Sequence, residues 1–119
     1  MGYSWDDDES VSICLAAYDA GRTPERINEK AAVKYSLELF AQLQPGNSVE
    51  VRVPPYKAVQ AIEGPTHRRG TPPAIVETDA RTWLHLVVGR LTWADAIASG
   101  SLFASGERSD LSEYFPLAQ

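Results

Sequence analysis

A short alternating run, closed at once by two prolines, constrains the fold of this chain most. Val49, Val51 and Val53 alternate with two charged residues, which predicts a strand with one buried face. Pro54-Pro55 ends it. Further strands are predicted at 56–63 (the weaker candidate), 74–78 and 101–105. The connections between the first three strands are too short for helical crossovers, which favours antiparallel neighbours. The sequence therefore predicts an α+β fold with helices layered on a mostly antiparallel sheet.

The longest predicted element is a helix that begins at Thr23-Pro24, where Thr23 caps it, and ends at Pro45-Gly46. Its apolar residues follow a four-residue step and are joined by three more: Ile27, Ala31, Tyr35, Leu39 and Leu43, with Val33, Leu37 and Phe40. This pattern predicts one wide apolar stripe facing the core.

Shorter helices are predicted on either side of the strands. Val11, Cys14, Leu15 and Tyr18 recur at helical spacing, and Gly21 is a fitting end for that helix. After the strand at 74–78, two further helices and one last turn are predicted from their caps and apolar residues: Asp79 to Gly89, Thr92 to Gly100, and 110–114.

Charge and cysteine content exclude several classes of protein. The 119 residues carry 11 Lys and Arg against 16 Asp and Glu, a net charge of −5, which argues against nucleic-acid binding. A single cysteine, Cys14, cannot form an intrachain disulfide, and the longest apolar run is too short to span a bilayer. We expect a cytoplasmic protein with no transmembrane segment.

Chemistry-bearing residues are sparse. Neither His67 nor His85 has a second ligand at metal-binding spacing, and there is no hydrolase elbow or phosphate-binding loop, so we expect no metal, no cofactor and no catalytic residue. Cys14 lies on an apolar helical face, which favours a buried, inert thiol. Glu77 and Asp79 are most simply an exposed strand residue and a helix cap.

Two segments hold side chains suited to binding. Arg68 and Arg69 lie in the one concentrated basic segment, where their guanidinium groups could contact an anion or a head group, although a solvated loop or a partner contact is the commoner outcome. Trp83, Trp93 and Phe103 lie close together in the sequence among aliphatic residues. Such a segment forms either a core or the wall of an apolar cavity. Periodicity alone does not separate the two, and the residues by themselves favour the core.

Residues 78–106 resemble the sterol carrier protein fold family. The matching marks are a capped helix with an aromatic residue, two short glycine motifs and a closing glycine: Asp79, Trp83, Gly89-Arg90-Leu91, Gly100-Ser101-Leu102 and Gly106. The segments Val-Arg-Val-Pro-Pro at 51–55 and Arg-Gly-Thr-Pro-Pro at 69–73 are similar to the bacterial orthologue branch. The resemblance covers most of residues 24–117.

The resemblance implies a sheet of four to five strands, covered by helices on one face, with an apolar tunnel between them. It implies non-catalytic binding of a lipid or another hydrophobic small molecule, with no cofactor. The implied tunnel wall consists of Leu39, Phe40, Trp83, Leu84, Val87, Leu91, Trp93, Ile97 and Phe103.

The resemblance also divides the chain into two segments. Residues 1–22 become an acidic N-terminal extension with a short helix, and residues 23–119 the sterol-carrier-like domain.

A second hypothesis for the function is a protein-interaction or accessory module with no ligand of its own, related to the similar domain of mycothiol-dependent isomerase-type proteins. A protein partner or a homodimer therefore stays open beside the hydrophobic ligand.

Overall fold

The computed structural model describes residues 8–64 and 74–117 and shows an α+β fold. His67, Arg68 and Arg69 lie outside these residues. In chain order the elements are α1 (Glu9–Asp19), α2 (Arg26–Leu43), β1 (Val49–Val53), β2 (Lys57–Ala61), β3 (Ala74–Thr78), α3 (Ala80–Val88), α4 (Trp93–Ala98), β4 (Leu102–Ser105) and a 3₁₀ turn (Ser112–Tyr114).

The four strands form one mixed sheet in the order β2-β1-β3-β4. β1 pairs antiparallel with β2, and β3 pairs antiparallel with β4, as the sequence predicts for most of the sheet. β1 and β3, however, are parallel, with Val51 opposite Val76. Residues 54–73 separate these two strands, which is more than the roughly dozen residues that a parallel connection needs. The intervening strand β2 pairs on the other side of β1.

One face of the sheet is buried and the other is open. Val49, Val51 and Val53 are fully buried, as is Val76 on β3. The side chains between them, including Glu50, Arg52 and Glu77, are only partly buried. This alternation follows from the two-residue period of a strand, and the helices cover the buried face.

Helix α2 begins at Arg26 rather than at Thr23-Pro24, and of the predicted stripe it buries Val33, Leu37 and Phe40 but not the residues of the four-residue step. Ile27 is 74% exposed, and Tyr35 and Leu43 are also exposed. Each four-residue step exceeds one helical turn by about 40°, so a stripe with this step winds around the helix. The buried residues are spaced one, three or four positions apart, so they stay on one face of the helix: Ala32, Val33, Ser36, Leu37 and Phe40.

Helix α1 packs against α2 and α3 and belongs to the same core. Its side chains Val11, Cys14 and Leu15 are buried there, and Asp8 caps the helix by accepting a hydrogen bond from the backbone N–H of Val11 at 2.9 Å. The division into residues 1–22 and 23–119 stays a prediction, but the described part of the first segment contributes apolar side chains to the common core.

Candidate functional site

Helix α3 positions the aromatic side chains that the sequence singles out. Asp79 caps its first turn by accepting from the backbone N–H of Thr82 at 2.8 Å, and Gly89 ends it in the left-handed region at φ +85°. Between these caps, Trp83, Leu84 and Val87 are buried in the hydrophobic core, where α3 packs against α2. The caps thus fix which face of this short helix enters the core.

Trp83 is held in the core by a hydrogen bond as well as by packing. Its indole Nε1 donates to Ser36 Oγ at 2.9 Å, and Ser36 Oγ donates to the carbonyl of Ala32 at 2.7 Å. Its ring meets Phe40 edge-on, with the ring centroids 5.8 Å apart. Since both polar atoms are buried, this arrangement satisfies the indole N–H that burial would otherwise leave unpaired.

The C-terminal segment places a phenyl ring between the predicted wall residues. After the 3₁₀ turn, Phe115 stacks on Phe40 and on Trp93, with centroid distances of 5.8 Å and 5.9 Å, and its ring meets Trp83 edge-on at 5.5 Å. The backbone N–H of Leu117 donates to the carbonyl of Val87 at 3.0 Å, which ties the segment to α3. Phe115 therefore occupies space between the sequence-predicted wall residues.

An open groove of about 350 Å³ lies beside this ring. Its lining is mainly apolar and comes from the end of α3, the start of α4 and the C-terminal segment: Gly89, Leu91, Thr92, Trp93, Ala94, Ser112, Phe115 and Pro116. The groove is concave, and its size is at the lower end of the range of about 300–1,000 Å³ that small-molecule sites occupy.

The predicted wall residues fall into three groups. Leu91 and Trp93 line the groove. Phe40, Trp83, Leu84 and Val87 are buried in the core behind it, and Leu39 packs partly buried against that core.

The structure does not bring the remaining two residues, Ile97 and Phe103, to the groove. Ile97 is exposed on α4, and Phe103 is 61% exposed on the open face of the sheet. Because side chains alternate along β4, Leu102 faces the core and Phe103 faces away from it.

Phe115 and Pro116 line the groove but are not among the predicted wall residues, and the same holds for Gly89, Thr92, Ala94 and Ser112. The sequence predicts a last helical turn over 110–114 and no binding role for the residues after it. The signal available was a run of two aromatic residues before Pro116, Tyr114 and Phe115, close to the end of the chain. Aromatic residues so placed are candidates for packing back onto the domain.

A second, polar pocket of about 310 Å³ lies between α1, α2 and the start of α3. Glu29, which lines this pocket, accepts hydrogen bonds from the phenol of Tyr18 and, at 2.7 Å, from the phenol of Tyr56.

The phenols and the nearby thiol all have raised pKa values. Burial and then the hydrogen bond to Glu29 raise the pKa of both phenols. Burial, followed by the nearby carboxylates Glu29 and Asp8, raises the pKa of the Cys14 thiol to about 11. These groups therefore stay protonated at neutral pH, so none of them is an activated nucleophile there.

Metal-binding geometry is absent from the part of the chain that the structure describes. Across residues 8–64 and 74–117, no group of three or more His, Cys, Asp or Glu side chains is arranged to hold a metal ion. Within the same ranges, no helix combines the length and the apolar character needed to cross a bilayer.

A protein-family model matches the part of the chain that contains both the sheet and the groove. The model describes bacterial SCP orthologs, and it matches residues 25–117. The chain belongs to the bacterial SCP ortholog family. The match includes every strand of the sheet and the C-terminal segment of this SCP-like protein, and it begins after α1. No curated protein matches the chain.

Proposed function

We propose that this SCP-like protein binds a lipid or another hydrophobic small molecule, without catalysis, in the groove beside Phe115. The observation that carries the proposal is the open apolar groove itself, whose lining joins the predicted residues Leu91 and Trp93 to Phe115. Membership of the bacterial SCP ortholog family supports it, because this fold is generally a non-enzymatic carrier.

The aromatic stack sets the size of the ligand. At about 350 Å³, the groove holds a small apolar group or the end of a chain rather than a large ring system. Phe115 stacks on Trp93, which lines the groove, and on Phe40 in the core, so a longer chain reaches the buried wall residues only if Phe115 moves. Phe115 is half-buried, so its movement exposes less apolar surface than the movement of a fully buried ring would.

Titration with a fluorescent fatty acid tests the proposal. We expect saturable binding at one site, weakened about tenfold by Trp93→Ala, because the ligand then loses apolar contact that contributes about 1.4 kcal/mol. Leu91→Ser is a second, milder change in the same lining. Ile27→Ala is the matched control, since it removes an exposed apolar side chain on α2 that does not line the groove.

Two results would overturn the proposal. The first is a lack of saturable binding by the wild-type protein. The second is saturable binding that Trp93→Ala and Leu91→Ser, both shown to be folded by circular dichroism, leave unchanged.

A further inference from the structure

A further hollow lies on the open face of the sheet, where the connections that leave β1 and β3 diverge. β1 and β3 are parallel neighbours, so Val53 and Thr78 lie at the same end of the sheet. From there β1 continues to β2 on one side, and β3 continues through α3 and α4 to β4 on the other. Because the two connections diverge, they leave a gap between Pro54 on one side and Gly100 and Ser101 on the other.

This gap measures about 320 Å³, and its lining includes Pro54, Glu77, Gly100, Ser101 and Phe103. A neighbouring hollow of about 380 Å³ shares Pro54 and Glu77 with it and extends over Pro55 and Tyr56. Glu77 thus lies where the two hollows meet. None of these residues lines the groove beside Phe115.

Phe103 and Glu77 form a directly opposed pair across β3 and β4. Both side chains project from the open face, and Phe103 is 61% exposed, with its phenyl ring available to a ligand. Side chains opposed in this way lie close enough to contact the same group. A phenyl ring beside a carboxylate attracts a positive charge in two ways, through the ring quadrupole and through the ion pair.

The charges around Glu77 leave it weakly compensated. Arg52 uses its Nη2 and Nε atoms on Glu50 Oε1, at 2.7 Å and 2.9 Å, while its Nη1 is 3.8 Å from Glu77 Oε1. The carboxylate of Asp79, which also lines the hollow, accepts the capping hydrogen bond from the backbone N–H of Thr82 in α3. Arg52 therefore makes its closer contacts with Glu50, and its contact with the Glu77 carboxylate is long.

The area of the open face limits what can bind there. Four strands of four or five residues cover roughly 300 Å². A stable dimer buries about 800 Å² per partner, so this face alone is too small to hold a second copy of the chain. A single cationic group on an apolar body matches the hollow in size, charge and surface.

We propose that the hollow at the carboxyl ends of β1 and β3 binds an organic cation, an ammonium or guanidinium group, between the Glu77 carboxylate and the Phe103 ring. The site is separate from the groove, and the proposal does not rest on hydrophobic-ligand binding there. The apolar body of the ligand lies against Pro54 and the ring, and the charge meets Glu77. Since the pair is exposed, binding weakens as the salt concentration rises.

The test is an NMR titration with butylguanidinium, compared with butylurea, which has nearly the same shape and no charge. We expect saturable shifts in the backbone amides of Glu77, Ser101 and Phe103 with butylguanidinium alone. Glu77→Gln and Phe103→Leu should each weaken binding about two- to fivefold. Arg52→Gln should tighten binding, because it removes the internal cation 3.8 Å from Glu77.

These variants change side chains that are exposed or half-exposed, and the same spectra report whether each is folded. Glu113→Gln is the matched control, since it removes an exposed carboxylate outside the hollow. Equal shifts with butylurea, shifts confined to other residues, or unchanged affinity in Glu77→Gln would each overturn the proposal.

A second arm identifies the source of the cation. The tripeptide N-acetyl-Gly-Arg-Gly amide presents the same guanidinium on a peptide backbone and carries no second charge. Tighter binding than butylguanidinium supports a basic side chain of a protein partner as the occupant, and equal binding supports a free organic cation. Failure of fatty-acid binding would leave these results unaffected, which separates the two proposals.

Discussion

Trp83 joins three parts of the molecule through one side chain. It lies on α3, donates a hydrogen bond to Ser36 on α2, and contacts the ring of Phe115 from the C-terminal segment. The burial of the Trp83 ring is predictable from the sequence, since Trp83 lies on an apolar helical face. The hydrogen bond of its indole is not, because nothing local to Ser36 indicates that its hydroxyl faces an indole 47 residues away.

Ser36→Ala tests how much the buried indole depends on its acceptor. The substitution leaves the Trp83 N–H buried and unpaired, so we expect the free energy of unfolding to fall by about 1–3 kcal/mol in urea denaturation. Trp83→Phe removes the donor as well, so adding Ser36→Ala to that variant should cost much less than adding it to the wild type. Equal costs in the two backgrounds would contradict the account of this hydrogen bond.

His85 gives the stability of the protein a dependence on pH. Burial lowers the pKa of its imidazole from the ordinary 6.5, and the nearby Arg81 and Arg90 lower it further, against the opposing effect of Asp19 and Asp79. The folded protein therefore binds a proton at this site less readily than the unfolded chain does. Stability from this site is complete above about pH 6.5 and is lost as the pH falls toward the lowered pKa.

His85→Phe removes this titration and keeps a ring against Tyr18, whose ring meets the imidazole edge-on at 5.5 Å. We expect the free energy of unfolding to fall less between pH 7 and pH 5 in the variant than in the wild type, as measured by urea denaturation at each pH. Parallel curves for the two proteins would show that His85 does not contribute to the acid sensitivity.

At the scale of elements, the caps predict the bounds of α3 better than apolar periodicity predicts the buried face of α2. Asp79 and Gly89 fix α3 at both ends, and the strand over 74–78 has the predicted bounds. Helix α2 shows the opposite case, because the four-residue step includes exposed residues such as Ile27. A stripe of apolar residues on a long helix does not by itself show which of them face the sheet, since tertiary packing decides that.

The C-terminal segment determines how much of the apolar space is open. Phe115→Ala removes the ring between Phe40 and Trp93, so we expect a loss of about 2 kcal/mol in the free energy of unfolding, less than for a fully buried phenylalanine because Phe115 is half-buried. We also expect tighter binding of long-chain fatty acids. Titration with a series of chain lengths measures the second effect. The preferred chain should lengthen in the variant.

Tyr114→Ala provides the comparison for that experiment. Tyr114 also contacts Phe40, edge-on at 6.1 Å, but it does not line the groove. We expect it to reduce stability without lengthening the preferred chain. A Phe115→Ala protein with the chain-length preference of the wild type would contradict the role given to the phenyl ring.

For the whole molecule, the fold class was predictable and the arrangement of the site was only partly so. Short connections and alternating strands predict an α+β fold with four strands, and the family resemblance is confirmed over residues 25–117. The parallel pairing of β1 with β3 could not be predicted, because connection length permits several strand orders. The position of Phe103 depends on the register of β4, and the position of Phe115 depends on a contact between the chain's end and α3.

The most direct test of hydrophobic-ligand binding is where the ligand lies on the molecule. In a ¹H–¹⁵N NMR titration of the full chain with decanoate, we predict saturable shifts at the indole N–H of Trp93 and the backbone amides of Leu91 and Phe115, while Glu77 and Phe103 on the open face stay unchanged. Shifts confined to the open face, or no saturable shift at Leu91, Trp93 and Phe115, would contradict the assignment of this groove as the binding site.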